Sequence, residues 1–436
     1  MSARTLRLAM PTAMLLIAAS AAPAAAGEAP GISAGDSAWM LAACALVLLM
    51  TPGLALFYGG MVRSKNVLSS LMHSYVAMGV VSVQWVVCGY SLAFAPGGPF
   101  IGGLSHLMLH GVHNDVAWPG TAIPQGLFMA FQMMFAIITP ALVSGAVAER
   151  VKFSSWVLFL VLWATLVYDP VCHWVWASDG WLMRRGVLDF AGGTVVHVSS
   201  GVSALALTLV LGRRIGYPHT PMKPHNLAMT LFGAGLLWFG WYGFNGGSAL
   251  GANSTAVGAF IATHIAAAAA ATTWCLIEAR HRGKASALGF ATGALAGLVA
   301  ITPACGYVDA TGALVIGAVG ASLCYAAVLV KRNFGYDDTL DVFGVHGVGG
   351  AWGAIATGIF CIAALTPDRA GGLIDRANVY RVAVQATGVA ATFAYAFLMT
   401  LVLARVLDAG AGLRIDEEGE RSGLDLASHG ETGYDF

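Results

Sequence analysis

The sequence predicts an all-α polytopic membrane protein with eleven transmembrane helices, ten of them an inverted five-helix repeat and one extra. Three observations carry this. Of 436 residues, 58% are hydrophobic and only 10% charged, against about 25% charged in ordinary soluble domains. Apolar stretches long enough to cross a hydrocarbon core of about 30 Å recur along the chain. Short matching motifs recur five stretches apart.

Residues 1–26 stand apart. Arg4 and Arg7 precede an apolar run over 8–22, and Ala24-Ala25-Ala26 offers a small-residue cleavage site, so the segment reads as a secretory signal peptide. Pro11, Pro23 and the short apolar core argue against an additional span. A membrane domain over 27–407 and a polar tail over 408–436 follow. The spans fall at 37–60, 67–94, 125–147, 154–175, 190–212, 227–244, 256–277, 285–301, 312–330, 343–365 and 382–407.

Loop charge sets the orientation. Arg63, Lys65, Arg150, Lys152, Arg213, Arg214, Lys223, Arg280, Arg282, Lys284, Lys331 and Arg332 lie in alternate connections, twelve against five on the other side. The positive-inside bias therefore places the mature amino terminus outside and the tail in the cytoplasm. Lys+Arg and Asp+Glu are 22 each, so no net field draws in nucleic acid. The seven cysteines are scattered through apolar runs with no metal-type spacing and read as packing residues. The 55 glycines suit helices packed closely through small residues. His106, His110 and His113 share a loop without cysteine or paired carboxylates and read as solvent-facing.

The repeat rests on three pairs. Ile138-Thr139-Pro140-Ala141 in the third span answers Ile301-Thr302-Pro303-Ala304 in the eighth, and Phe57-Tyr58-Gly59-Gly60 in the first answers Phe244-Asn245-Gly246-Gly247 in the sixth. The fifth span opens on DFAGGTVVH (189–197) and the tenth on DVFGVHGVGG (341–350). An odd offset makes the halves enter the membrane from opposite sides, an arrangement that places substrate paths between halves.

His197 lies eight residues after Asp189, and His346 lies five after Asp341, roughly 12 Å and 7 to 8 Å along a helix. An ionisable side chain at such depth is costly. The spacing leaves two readings open: each imidazole donates to a carbonyl in a packed interface, or the two face each other across a narrow pore. Haem ligation by paired histidines is a third, disfavoured by the glycines around both. Asp189 and Asp341 sit where an aspartate caps the free N–H groups of a first helical turn.

The runs 189–197 and 341–350, with Gly240-Trp241-Tyr242-Gly243-Phe244-Asn245-Gly246-Gly247-Ser248, resemble the ammonium transporter (Amt/Mep/Rh) family, bacterial Amt-type, over nearly the whole chain after its first segment. The resemblance implies a transporter of ammonium or ammonia, with methylammonium as an analogue, and neither an enzyme nor a protein with a metal or cofactor. It implies that His197 and His346 hydrogen-bond side by side and line the pore. It implies an outer recruitment site of Phe131, Phe135, Trp176 and Ser248, where aromatic faces attract a desolvating cation by about 2 kcal/mol or more. Phe135 and Phe244 would be a stacked gate below that site, and Asp189 would shape the cation site beyond capping. Taken singly, such aromatics are more often lipid-facing or core residues. The segment 174–181 is less glycine-rich than the family pattern, and Trp176 is matched in preference to Trp174 and Trp181. The resemblance further implies a homotrimer in the cell inner membrane and a PII-type signal protein beneath a regulatory tail. A sensor signalling through that tail is the alternative, and a Rhesus-type gas channel is disfavoured by Trp176 and Ser248.

Overall fold

In the computed structural model, which describes residues 31–435, the chain is all-helical, with two isolated β-bridges and no strand among the described residues. The signal-peptide segment lies outside them. Among the described residues, nine helices are long and apolar enough to cross a membrane: α1 (Ala34–Met61), α2 (Ser64–Phe94), α3 (Gln125–Val147), α4 (Phe153–Arg184), α5 (Gly193–Leu211), α6 (Leu227–Gly247), α7 (Ser254–Arg282), α9 (Ala310–Phe334) and α11 (Val379–Gly410). The other two stretches expected to span are also helical: the shorter α8 (Ala287–Ile301), and α10, a π turn Phe343–Gly347 continued by Val348–Phe360. Several helices outrun their apolar stretch, as α11 does by including Asp408, because a polar turn at a membrane surface can continue the backbone ladder.

The halves interlock. α1 makes its most extensive contact with α6, the first helix of the other half, and α5 packs on α10. Near the start of α5, Gly193 O lies where a Cβ on Gly350 would be 2.8 Å away; further along α5, a Cβ on Gly201 would lie 2.1 Å from Gly347 N. Early residues of one helix thus meet later residues of the other, and the two cross antiparallel at backbone contact. Large apolar side chains such as Phe232, Phe239, Leu398 and Val402 stay exposed on the outside of the bundle, as a lipid-facing surface requires.

π turns recur where the ladder is interrupted. In α4 the turn Ala164–Tyr168 precedes Pro170. Proline has no N–H for the carbonyl four residues back, and that carbonyl, Leu166 O, instead accepts from Tyr395 Oη of α11 at 2.8 Å. A bond from a neighbouring helix satisfies what the proline frees.

At the end of the bundle that carries the tail, the loops join in one ionic network. Glu149, at φ 71°, pairs with Arg63 at 2.9 Å and Arg214 at 3.1 Å, and Arg214 pairs with Asp337 at 2.8 Å. The tail is seated on this base. Asp425 accepts from Leu68 N and Ser69 N at the start of α2, Glu420 accepts from Ile215 N, and Asn66 Oδ1 accepts from Leu424 N. The acidic tail is therefore a packed element whose carboxylates cap other segments.

Burial pushes the Glu149 carboxyl up, but the Arg63 hydrogen bond and the Arg214 charge outweigh it and hold it below the ordinary glutamate range. Asp337 is likewise raised by burial and lowered further by Arg214 and Arg150. A depressed carboxylate contributes stability that is complete above its unfolded pKa, about 4, and is lost as pH falls from there through the depressed value. The thermal midpoint of the purified protein is expected to fall on acidification through that window. Glu149→Gln should flatten this limb and cost about 3 kcal/mol at neutral pH, since Arg214 is left buried with one partner fewer. An unchanged acid limb in the variant would rule out this network as its source.

Candidate functional site

Asp189 ends the loop before α5, and its carboxylate collects the first N–H groups of that helix. Oδ1 accepts from Gly192 N at 2.8 Å and Gly193 N at 2.6 Å; Oδ2 accepts from Thr194 N at 2.7 Å, from the Thr194 hydroxyl and from Val195 N at 3.2 Å. This cap holds the π turn Gly193–Val198 that carries His197. Asp189 is not among the residues that line the recess described below, and its two oxygens are taken up by the backbone N–H groups of 192–195 and the Thr194 hydroxyl, which fixes the start of the turn that carries His197.

The equivalent residue in the other half is Asp338, a correction to the expectation for Asp341. Asp338 accepts from Val342 N at 3.1 Å and Phe343 N at 2.8 Å, at the start of the π turn that carries His346. Asp341 has φ 60° and is ion-paired with Lys331. Counted from Asp338, His346 lies eight residues on, the spacing found from Asp189 to His197.

The histidines meet. Their Nδ1 atoms are 3.2 Å apart, and both side chains are buried. The two rings are in direct contact, with centroids 5.3 Å apart, which leaves no room for a haem between them. His197 stacks on Trp241 at 5.5 Å and on Phe244 at 6.1 Å, and its Nε2 lies 3.4 Å from Thr302 Oγ1. Thr302 Oγ1 donates to Leu298 O and accepts from Trp241 Nε1 at 3.0 Å. Its remaining acceptor capacity suits a His197 Nε2–H. That tautomer leaves His197 Nδ1 bare, to accept from His346 Nδ1–H, and leaves His346 Nε2 with a lone pair.

Two spaces flank the phenylalanine pair. A recess of about 140 Å³ is lined by Phe131, Phe135, Trp176 and Ser248, together with Trp118, Phe128, Gln132, Phe190 and Leu250. A chamber of about 10 Å³, roughly the smallest that holds one water, is walled by His197, His346, Trp241, Phe244 and aliphatic side chains from α1, α3, α5, α6 and α8. Phe135 belongs to the recess wall and Phe244 to the chamber wall, and their rings lie 4.3 Å apart at 40°. The two rings therefore stand between the spaces.

Trp176 meets Phe135 edge-on at 5.7 Å and donates from Nε1 to Asp189 O at 2.9 Å. Trp174 and Trp181 pack on each other and on Phe100 instead. Ser248 Oγ donates to Phe244 O at 2.8 Å, which leaves its oxygen free to accept in the recess. Sequence reasoning missed Gln132, whose Oε1 is buried without a hydrogen-bond partner, and Phe190. Their signal was available, since Gln132 adjoins Phe131 and Phe190 adjoins Asp189.

Gly201 and Gly350 let α5 and α10 approach closely enough for the rings to touch. Gly201→Ala would put a methyl group 2.1 Å from the Gly347 amide nitrogen. Overpacking of that kind costs about 1–3 kcal/mol. The variant is expected to be destabilised by about that amount, read as an earlier thermal midpoint, and wild-type stability would overturn the close-crossing account.

Fold and spaces together define a multi-pass membrane protein with two internal spaces divided by two aromatic rings. The profile of the Ammonium Transporter Family matches residues 38–434, and the chain belongs to that family. It is 50% identical to an ammonium transporter of Bacillus subtilis over 403 residues, covering 92% of this chain and 98% of that one. Among solved structures it resembles Candida albicans Mep2 with a TM-score of 0.85 at 35% identity, over 94% of this chain and 92% of that one. It also resembles a structure titled "Sensor Amt Protein", with a TM-score of 0.83 at 29% identity, over 91% and 98%.

Proposed function

We propose that the chain transports ammonium across the cell inner membrane, taking it from the outer face and passing ammonia through the histidine chamber. The observation that carries this reading is the order of the spaces: an aromatic recess with free acceptor oxygens, two rings 4.3 Å apart and tilted by 40°, then a largely apolar-walled chamber of about 10 Å³. In the recess, Phe131, Phe135 and Trp176 offer π faces, and Ser248 Oγ and Gln132 Oε1 offer lone pairs, a set that holds a small cation without a carboxylate.

The chamber cannot take that cation cheaply. Isolated ions cost tens of kcal/mol in a medium of low dielectric, whereas the neutral form costs far less. Ammonium is therefore deprotonated at or above the phenylalanine pair. Ammonia then passes His346 Nε2, whose lone pair accepts one of its N–H groups. In turn with the solute, the released proton binds that same His346 Nε2; the shared hydrogen then shifts to His197 Nδ1 and the His197 Nε2 proton leaves toward Thr302, which makes the pair a relay of imidazoles. The same reading makes the tail end cytoplasmic and the assembly a homotrimer, and the docked tail offers a surface for a PII-type signal protein.

An ammonium pulse on reconstituted protein is expected to give both ammonia flux and current. Replacing His197 and His346 together by apolar residues should abolish the current, and undiminished current would reject the relay. Ser248→Ala removes one acceptor for a charged donor, about 1.5 kcal/mol or more. It should raise the half-saturating methylammonium concentration about tenfold, and an unchanged value would remove Ser248 from the recruitment site. The likeness to the sensor structure and the docked tail support a second reading, signalling through the tail. Absence of methylammonium uptake in cells with no other ammonium transporter would favour it.

A further inference from the structure

α2 and α4 carry π turns side by side, Trp85–Gly89 and Ala164–Tyr168, and a polar pair joins them at their edges. Gln84 Nε2 donates to Asp169 Oδ2 at 2.8 Å and to Thr165 Oγ1 at 3.1 Å. Asp169 lies about 24 Å along α4 from its start, is fully buried, and forms no ion pair among the described residues. It lines neither the recess nor the histidine chamber. Gly89 makes room for the amide, since a Cβ there would lie 2.7 Å from Gln84 Oε1 and 2.9 Å from Nε2.

Two atoms of this pair are unsatisfied: Gln84 Oε1 and Asp169 Oδ1, both buried and both without a hydrogen-bond partner. Both are acceptors when the acid is ionised. A hydrogen on the carboxyl, the more basic of the two groups, turns one of these acceptors into a donor, and the other belongs to the amide already bonded to the same carboxyl. Turning the amide over does not remove the need: Oε1 would then face Asp169 Oδ2, again acceptor against acceptor. The titratable groups that feel Asp169 are Cys88, Tyr168 and Cys172, none of them a cation, and His173, one turn further along α4, directs its ring nitrogens at Ala93 O, Gly98 O and Asp179 instead.

We propose that Asp169 is a proton-binding site, held as a neutral acid in an acid–amide pair with Gln84 that ties the π turn of α2 to that of α4. The pair binds a proton rather than a metal or ammonium ion, and it sits in the wall behind the solute path. It exists whatever the substrate is. Because the hydrogen completes the pair, its contribution to stability is present while Asp169 is protonated and is lost as rising pH removes the proton.

Infrared spectroscopy of the reconstituted full chain tests this. At neutral pH a protonated-carboxyl C=O band is expected that disappears in Asp169→Asn and moves to higher frequency in Gln84→Leu, where the hydrogen bond to the amide is gone. Asparagine can form the same two-bond ring with Gln84, so Asp169→Asn should keep the wild-type thermal midpoint at neutral pH, whereas Asp169→Leu should lower it. At alkaline pH the wild-type midpoint should fall as the band fades, and that of Asp169→Asn should not follow. If Asp169→Asn does not accumulate, carboxyl-13C aspartate combined with Gln84→Leu identifies the band. Absence of any band that responds to Asp169 or Gln84 at neutral pH overturns the proposal, as does a wild-type midpoint that depends on sodium or ammonium and loses that dependence in Asp169→Asn, or a midpoint in Asp169→Asn that falls with pH as in wild type.

Discussion

Two imidazole nitrogens 3.2 Å apart demand one hydrogen between them, no more and no fewer. With none, two lone pairs repel; with two, two N–H groups collide. That requirement sets the electrical character of the chamber, because a neutral pair is the form a dry apolar space tolerates. It also sets the architecture. The rings reach each other only because α5 and α10 touch through glycine backbones, and only because Asp189 and Asp338 start those helices at matched distances from their histidines.

The halves are thus related in how they are built as well as in their motifs. In each, a carboxylate takes up the first N–H groups of a π turn, and the histidine follows eight residues later. A π turn widens the helix and lets a side chain project where a regular helix would direct it elsewhere. Thr302, in one of the repeated I-T-P-A motifs, contacts His197 Nε2 and Trp241, so a motif noticed as a repeat is also a support for the pair.

Most of the helices were legible because a span needs length and apolarity, and both are additive along a sequence. α1, α3 and α6 begin or end within a few residues of their apolar runs. The histidines were legible because charge at depth is rare. Asp338 was not, since a cap is defined by where the helix starts, and Asp341 stands closer to the apolar run than the true first turn allows. The pair Gln84–Asp169 escaped for a related reason: a single polar residue in a span has no periodicity, and its meaning lies in a partner tens of residues away. Trp176 could be chosen from three tryptophans only by family pattern, and the recess it lines is assembled from α3, α4, the loop before α5 and the end of α6.

The seated tail has a consequence for how the molecule is made. Residues 413–425 leave the ribosome after every span, yet they supply caps and bonds to Asn66, Leu68, Lys152 and Ile215, segments translated far earlier. The base of the bundle therefore waits, with backbone donors wetted rather than paired, until residues 413–425 have been made. A nascent chain can have its spans threaded through the bilayer and still be unlatched, and a late-made stretch fastens earlier ones.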